Sequence, residues 1–507
     1  MTSHRWQRMV LRAQGRLDGE NADRLLPWVF AAGLFAVLTA LDAAALRGFE
    51  GGSGAGAWLQ AAWRRQHGGT GFPVGGADPA TGAWSLIAEP VLWVSRFLPP
   101  EAVFSVVQAG AIGVGIVPLW KLGRDHAHLR VGAATVAVAT YALAPTRHRS
   151  NLSPFHPEVI ALPVLLWAYL HGLQGHVKRY SVLVLVVLAC RADLGVTVVA
   201  MGLLLASTGR RRIGLASAAG GLAWSVAAVI ALHPEVPDQA LTPSGEFVAR
   251  TVTPLAVFAE LFAHPLRELG GLLAESSVTF LVVVFSPLLF LPLVSPRRLA
   301  AAVPCLGLAM MSDRGVQRSA QAGVIDLAPA AAHIAPAMAF VFIALIFALE
   351  RIGTLGVTRV NVDRRVLAVL LAGAALLFVA AAPSSPYRRP WSWGSQDAVD
   401  GARLQAAALV DPSEAVAVSP GSTVVVAERA ELVELPPQPS DLAPRRIGRI
   451  ARRVDAVLLD TTGTDPRTGE AFWPIDERQR VLRVFRGRGF AVAYRSHGIY
   501  LLRSAPR

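Results

Sequence analysis

Charge is scarce in this 507-residue chain. Asp, Glu, Lys and Arg make up 16% of it, 53% is hydrophobic and the mean hydropathy is +0.45. A soluble domain carries about 25% charged residues, so a soluble enzyme and a disordered chain are both excluded. Lysine is nearly absent: Lys121 and Lys178 leave the formal net charge of +13 almost wholly to arginine. The two cysteines, Cys190 and Cys305, lie far apart in apolar runs. That excludes a disulfide scaffold and reads as small buried hydrophobes. There is no Walker motif, zinc-ligand spacing or nucleophile elbow, so no metal and no cofactor is expected. A pI near 10.8 without a recognition motif points away from nucleic acid. No internal repeat is visible, which places a transporter or flippase last among the readings. The polar segment 1–24 has no small-residue cleavage site, so the apolar run after it is expected to stay as an anchor.

What the chain does have is apolar runs of near twenty residues, recurring from Leu25 to Ala382. Each is long enough for a hydrocarbon core of about 30 Å. Spans are expected at 25–46, 103–120, 131–145, 158–173, 213–232, 279–294, 299–311, 327–349 and 366–382. The segment 181–208 is interrupted by Arg191 and Asp193. As a single span it would bury that pair near the midplane, at about 2.5–3.5 kcal/mol per charge. A hairpin of two short helices avoids this cost, giving about eleven crossings. Trp84–Leu98 is apolar but short and reads as an interfacial or re-entrant helix. Most arginines fall in the short loops, so the positive-inside rule puts the N-terminus in the cytoplasm. The expected fold is an α-helical polytopic protein of the cell membrane: a cytoplasmic segment at 1–24, a transmembrane unit at 25–382 with an outer loop at 47–102, and a linker at 383–395. A small α/β domain at 396–507 follows on the extracytoplasmic side. Within it, strands are expected at 415–418, 423–427 and 456–459 and in a hairpin at 490–502.

The informative polar residues collect on the outer side of this topology. The first loop holds Glu50, Asp78 and Glu89; the next outer loop holds Arg147, His148, Arg149, His156 and Glu158; Arg191 and Asp193 cap the hairpin. Arginine grips phosphate as a bidentate fork, and a nearby carboxylate can act as general base. Such a set suits a phosphorylated lipid head group. Each residue also has a structural reading. Glu158 suits a helix N-terminus, Arg191 and Asp193 an ion pair, and Arg147 and Arg149 snorkelling to head groups. His333 reads first as a packing residue.

The stretch SPFHPEVIALPVLLWAYLHG and the hairpin LVVLACRADLGVTVVAMGLLL resemble domain-of-unknown-function family 2079, bacterial multi-pass membrane proteins. Phe155, His156, Pro157 and Glu158 match its motif, and Arg191 to Asp193 its basic-acidic tip. That family in turn resembles the GT-C glycosyltransferases. The resemblance implies an outward-facing site, a polyprenyl-phosphate sugar donor, and an envelope glycan or lipid acceptor. It implies Arg191 as the phosphate holder, with help from Arg147 or Arg149; His156 and Glu158 shape the site. A first-loop carboxylate is the implied base. The family's Asp, six residues before a Gln and then a Trp, falls here on Gly54, while Gln60 and Trp63 remain. Glu50 and Asp78 are therefore the candidate catalytic carboxylates. The alternative is a catalytically degenerate membrane scaffold of the same fold.

Overall fold

The computed structural model describes residues 19–49, 52–68, 79–82, 84–232, 275–312, 333–356, 358–387, 394–435, 442–462 and 473–504. Up to Ala381 they are overwhelmingly helical. The principal helices are α1 (Glu20–Arg47), α2 (Gly52–His67), α3 (Ala88–Val94), α4 (Pro100–Val114), α5 (Ile116–Lys121), α6 (Val131–Leu143), α7 (Pro145–Leu152), α8 (Glu158–Gln174), α9 (Val177–Cys190), α10 (Leu194–Ser207), α11 (Arg211–Leu232), α12 (Glu275–Phe285), α13 (Val303–Ser312), α14 (Ala335–Ile352) and α15 (Arg364–Ala381). By length and composition, five stretches among the described residues are apolar enough to cross a membrane alone: α1, 100–126, α11, α14 and α15. Helix α14 is buried at every position from Ala335 to Leu349; a helix apolar all round belongs inside a bundle.

The segment around Arg191 folds as a hairpin. Arg210 Nη2 donates to Leu173 O at 2.6 Å, which puts the end of α10 beside the start of α9, with Arg191 to Asp193 at the far tip. Helices α10 and α11 then pack backbone to backbone. A Cβ on Gly202 would lie 2.5 Å from Gly214 O, and one on Gly195 2.7 Å from Gly221 O. At the end opposite the tip, Arg124 is fully buried. It bonds Asp23 of α1 through Nε (2.6 Å) and Nη2 (2.9 Å), and Trp120 Nε1 donates to the same carboxylate at 3.0 Å.

Two sequence expectations change. The span expected at 279–294 is not one helix: α12 stops at Phe285, and 3-10 turns follow around Pro287 and Pro292. Leu289 and Phe290 have φ of 49° and 56°. Proline lacks the N–H and clashes with the preceding turn, and two prolines five residues apart break the ladder here. The strand expected at 423–427 is a 3-10 turn over Val424–Val426. Its β-branched residues serve tertiary contacts instead of a ladder.

From Asp397, whose side chain caps α16 (Ala398–Ala408) in a reciprocal capping box, the chain forms a five-stranded sheet. Its strands are β3 (Val416–Val418), β4 (Leu432–Glu434), β5 (Ala456–Asp460), β6 (Phe490–Ser496) and β7 (Ile499–Ser504), in the order β4-β3-β5-β7-β6; a short ribbon, β1 (Thr354–Leu355) with β2 (Val360–Asn361), precedes α15. Strands β3, β4 and β5 run parallel, and β7 pairs antiparallel with β5 and β6. The loop after β3 meets the helical region: a Cβ on Gly56 of α2 would lie 2.3 Å from Thr423 Cγ2, and Gln60 Nε2 donates to Arg429 O and Ala430 O, each at 3.3 Å. Helix α3 is amphipathic. Ala88, Val91 and Leu92 are buried, while Trp93, Phe97 and Leu98 around its end are more than half exposed.

The backbone crossing of α10 and α11 leaves no room for side chains. Gly202→Val should destabilise the protein by about 1–3 kcal/mol through overpacking, read as a lower unfolding temperature in detergent. An unchanged temperature would show that the two helices do not cross this closely.

Candidate functional site

The site is built where four helix ends meet. Glu158 opens α8 and Asp193 stands at the N-cap of α10, so both carboxylates face positive helix ends; Arg191 stands at the C-cap of α9, where a cation is favoured. Arg191 Nη1 donates to Glu158 Oε1 at 2.7 Å, its Nη2 to Asp193 Oδ2 at 2.8 Å, and its Nε to Asp193 Oδ1. All three residues are at most 5% exposed. His333, just before α14, places Nδ1 at 2.9 Å from Glu158 Oε1 and 2.5 Å from Arg191 Nη1. The His156 ring stands edge-on to His333, centroids 6.1 Å apart. With one guanidinium against two carboxylates, the cluster is net negative when both histidines are neutral. Trp224 Nε1 donates to Ala192 O at 3.0 Å and fixes the tip from α11.

The Phe155-to-Glu158 stretch can now be read atom by atom. Phe155 packs edge-on to Trp58 of α2 at 5.0 Å and stacks on Phe104 of α4 at 5.2 Å. The backbone N–H of His156 donates to Gln108 Oε1 at 2.9 Å. Gln108 Nε2 in turn donates to the carbonyls of Ser150 (2.8 Å), Asn151 (3.2 Å) and Ser153 (3.1 Å). One buried amide thus pins the whole turn between α7 and α8, satisfying groups that low dielectric would penalise if orphaned.

Arg147 sits apart from this cluster, on α7, and is 1% exposed. Its guanidinium carbon lies 5.0 Å from the Tyr141 ring centroid and 5.5 Å from that of Phe342. Its buried Nε and Nη2 have no hydrogen-bond partner, and the same is true of Thr146 Oγ1 and Asn151 Oδ1 on the same helix. No carboxylate among the described residues pairs with it. Beside it in sequence, His148 accepts from Ser384 at 2.6 Å through Nδ1 and bonds Ala142 O through Nε2 at 2.9 Å. His148 also lines an apolar groove of about 510 Å3, open to the surroundings, with Val29, Val37, Val138, Leu143 and Phe378. Arg149 is half-buried and reaches Ala381 O at 3.5 Å.

Of the residues expected from sequence, the structure brings His156, Glu158, Arg191 and Asp193 together and leaves Arg147 and Arg149 elsewhere on α7. Glu50 and Asp78 lie outside the described residues. His333, expected as a packing residue, touches Glu158 and Arg191 of the cluster. Asp42, Glu101 and Gln108 were not singled out in sequence. The available signal was an isolated polar group in an apolar run, which is costly in a membrane and functional by default. At Gly54, where the family's Asp would fall, a Cβ would lie 2.6 Å from Pro154 Cγ. The described residues contain no group of three or more His, Cys, Asp or Glu that could hold a metal.

A family described as a predicted membrane protein (DUF2079) matches residues 85–501. No curated protein matches the chain. Among solved structures, ArnT from Cupriavidus metallidurans bound to undecaprenyl phosphate is similar at 11% identity and a TM-score of 0.49, covering 96% of this chain and 100% of that one. ArnT from the same organism in the apo state is similar at 12% identity and a TM-score of 0.45, covering 94% and 100%.

Removing Arg191 strands two buried carboxylates, and breaking a buried pair from one side costs about 3–5 kcal/mol. Arg191→Ala should therefore lower the yield of folded protein sharply on size exclusion. The combined Arg191→Leu, Asp193→Leu, Glu158→Gln variant should recover most of it. No recovery in the triple variant would contradict the account of the loss as stranded charge.

Proposed function

The chain belongs to the DUF2079 family of predicted membrane proteins, and we propose that it is a GT-C-like glycosyltransferase. It takes a sugar from a polyprenyl-phosphate donor at the outer face of the cell membrane and passes it to an envelope glycan or lipid. The observation that carries this reading is Arg147: a buried guanidinium with two partnerless donors. An unpaired buried charge is expensive, and a phosphate oxygen pair is the ligand whose geometry matches its fork. The apolar groove that reaches His148 offers a neighbouring path for an isoprenoid tail. The resemblance implies Arg191 as the phosphate holder. Its three nitrogens are engaged by carboxylates, so its part in this reading is to position Glu158 and the hairpin tip, and Arg147 takes the phosphate.

In the transfer, the bond between the sugar's anomeric carbon and the phosphate oxygen breaks. The electron pair leaves with the polyprenyl phosphate, the acceptor hydroxyl oxygen bonds to the anomeric carbon, and its proton passes to a carboxylate base. Glu50 and Asp78 of the outer loop remain candidates for that base. Residues 25–382 form the membrane unit, with the N-terminus cytoplasmic, and residues 396–507 face outward to meet acceptor or partner. The basic residues at the end opposite the hairpin tip support that orientation.

A second reading has its own observation. Gly54 lacks the family's carboxylate, and Pro154 fills the space; a chain that holds the lipid without turnover is a scaffold.

Arg147→Gln should weaken binding of a short-chain polyprenyl phosphate to the purified protein roughly 10- to 100-fold, the loss of a charge-assisted contact worth about 1.5–3 kcal/mol. Unchanged affinity would remove the basis of the proposal. Release of free lipid phosphate from a sugar-loaded donor, with acceptor present, separates transferase from scaffold. For orientation, alkaline phosphatase fused at the C-terminus should be active, and fused into the loop at 174–176 inactive. The reverse pattern would invert the site.

A further inference from the structure

The acceptor hydroxyl in the proposed transfer has to lose a proton, and Gly54 stands where the family's first-loop carboxylate would take it. The charge cluster at the hairpin tip holds a group with the geometry for that task. His333 is its outward member: its side chain is 22% exposed, against 3% for Glu158 and 6% for Arg191 and Asp193. Its Nδ1 is turned inward, 2.9 Å from Glu158 Oε1 and 2.5 Å from Arg191 Nη1. Its Nε2 has no hydrogen-bond partner among the described residues and is not sealed from the surroundings.

The contacts at Nδ1 decide which nitrogen carries the proton. A carboxylate oxygen only accepts, so Glu158 Oε1 attracts an Nδ1–H. The other tautomer would set an imidazole lone pair against an ionised carboxylate, in a buried place that screens the repulsion weakly. Arg191 Nη1 donates to the same Oε1 at 2.7 Å, so that oxygen gathers both donors. Nε2 is left with a lone pair facing out. A carboxylate behind one ring nitrogen and a free lone pair on the other is how a histidine is set to take a proton. The charges agree. With His333 neutral, Arg191 against Glu158 and Asp193 leaves one negative charge over; a proton on His333 cancels it. His156, whose ring stands beside it, has its Nδ1 on the neutral carbonyl of Pro154 instead.

We propose that His333 is the general base of the transfer, and that Glu158 positions it and balances the charge it acquires. The inference rests on the transferase reading, in which His333 takes the place of the carboxylate base. Nε2 accepts the proton of the acceptor hydroxyl as that oxygen bonds to the anomeric carbon. The bond from that carbon to the phosphate oxygen breaks, its electron pair leaving on the lipid phosphate, and the imidazolium then gives its proton to water. In an in-line displacement the attacking hydroxyl and the leaving phosphate lie on opposite sides of one carbon, so the base and the phosphate-holding arginine belong apart. Arg147 lies against Phe342, about two and a half helical turns, or roughly 13 Å of rise, along α14 from His333.

The test uses the full-length protein with short-chain polyprenyl-phosphate glucose and arabinofuranose as donors, and octyl β-D-glucopyranoside supplying acceptor hydroxyls. Release of free lipid phosphate is followed for the unaltered protein, His333→Gln and Glu158→Gln, beside binding of the polyprenyl phosphate alone. His333→Gln should cut kcat at least 100-fold, the scale of a lost general base, and keep polyprenyl-phosphate affinity within twofold. Glu158→Gln keeps an acceptor for Nδ1–H and removes its charge; kcat should fall about tenfold with the donor KM unchanged. If it lowers only the yield of folded protein, Glu158 is a strut and not a positioning residue. Nitrogen-15 NMR of histidine-labelled protein, with His333 assigned by its loss in His333→Gln, reads the tautomer without turnover and should find the proton on Nδ1. A neutral ring protonated on Nε2 overturns the proposal. So does a fall in polyprenyl-phosphate affinity as large as the fall in kcat, which would make His333 a phosphate ligand. Release that survives His333→Gln defeats this inference alone, whereas no release by the unaltered protein defeats the transferase reading itself.

Discussion

A guanidinium buried between two carboxylates is the constraint around which this molecule is arranged. Arg191, Glu158 and Asp193 lie where water does not screen them. Their desolvation is offset only while every partner holds its place. The partners come from the ends of α8, α9 and α10, and His333 adds the approach to α14. The cluster therefore fixes several helices relative to one another at one end of the bundle. The Asp23–Arg124 pair does the corresponding work at the other end. Between these two polar clamps the interior is filled almost wholly by apolar side chains.

Arg191 and Arg147, both buried, differ in what has been done with their charge. Arg191 is neutralised from within and works as a strut. Arg147 faces aromatic rings, which stabilise a cation only modestly, and leaves two N–H groups unanswered. A chain that spends stability on such a group needs a ligand to recover it. That contrast, more than the number of polar residues near the tip, separates structural from ligand-binding charge here.

Much of the helical architecture was legible because hydrocarbon thickness and the cost of buried charge act directly on sequence. The hairpin followed from the cost of burying Arg191 and Asp193 in a span and from the side on which Arg210, Arg211 and Arg212 must lie, and the Phe155-to-Glu158 stretch was visible as a motif. Other features were not legible, for physical reasons. The Val-rich run at 423–427 carries strand propensity, yet tertiary contact with α2 overrides it. Pro287 and Pro292 looked tolerable within a span, but their spacing leaves too little helix between them. The charge state of a site depends on pairing, which is a property of the fold. Nothing local in TRHRSN distinguishes partnerless Arg147 from Arg149. Asp42, Glu101 and Gln108 each stand alone in apolar runs, so their convergence with Trp58 and Phe155 appears only when α1, α2 and α4 are brought together.

Besides the covalent link before α16, the sheet is joined to the helices among the described residues where Gly56 and Gln60 of α2 meet the loop after β3. A body held at two points cannot tumble freely about either. Any tilt of the sheet, for instance when something large settles on it, is transmitted along α2 to Trp58 and then through its ring contact to Phe155, one residue from His156. The sheet is geared to the helices, with α2 as the shaft.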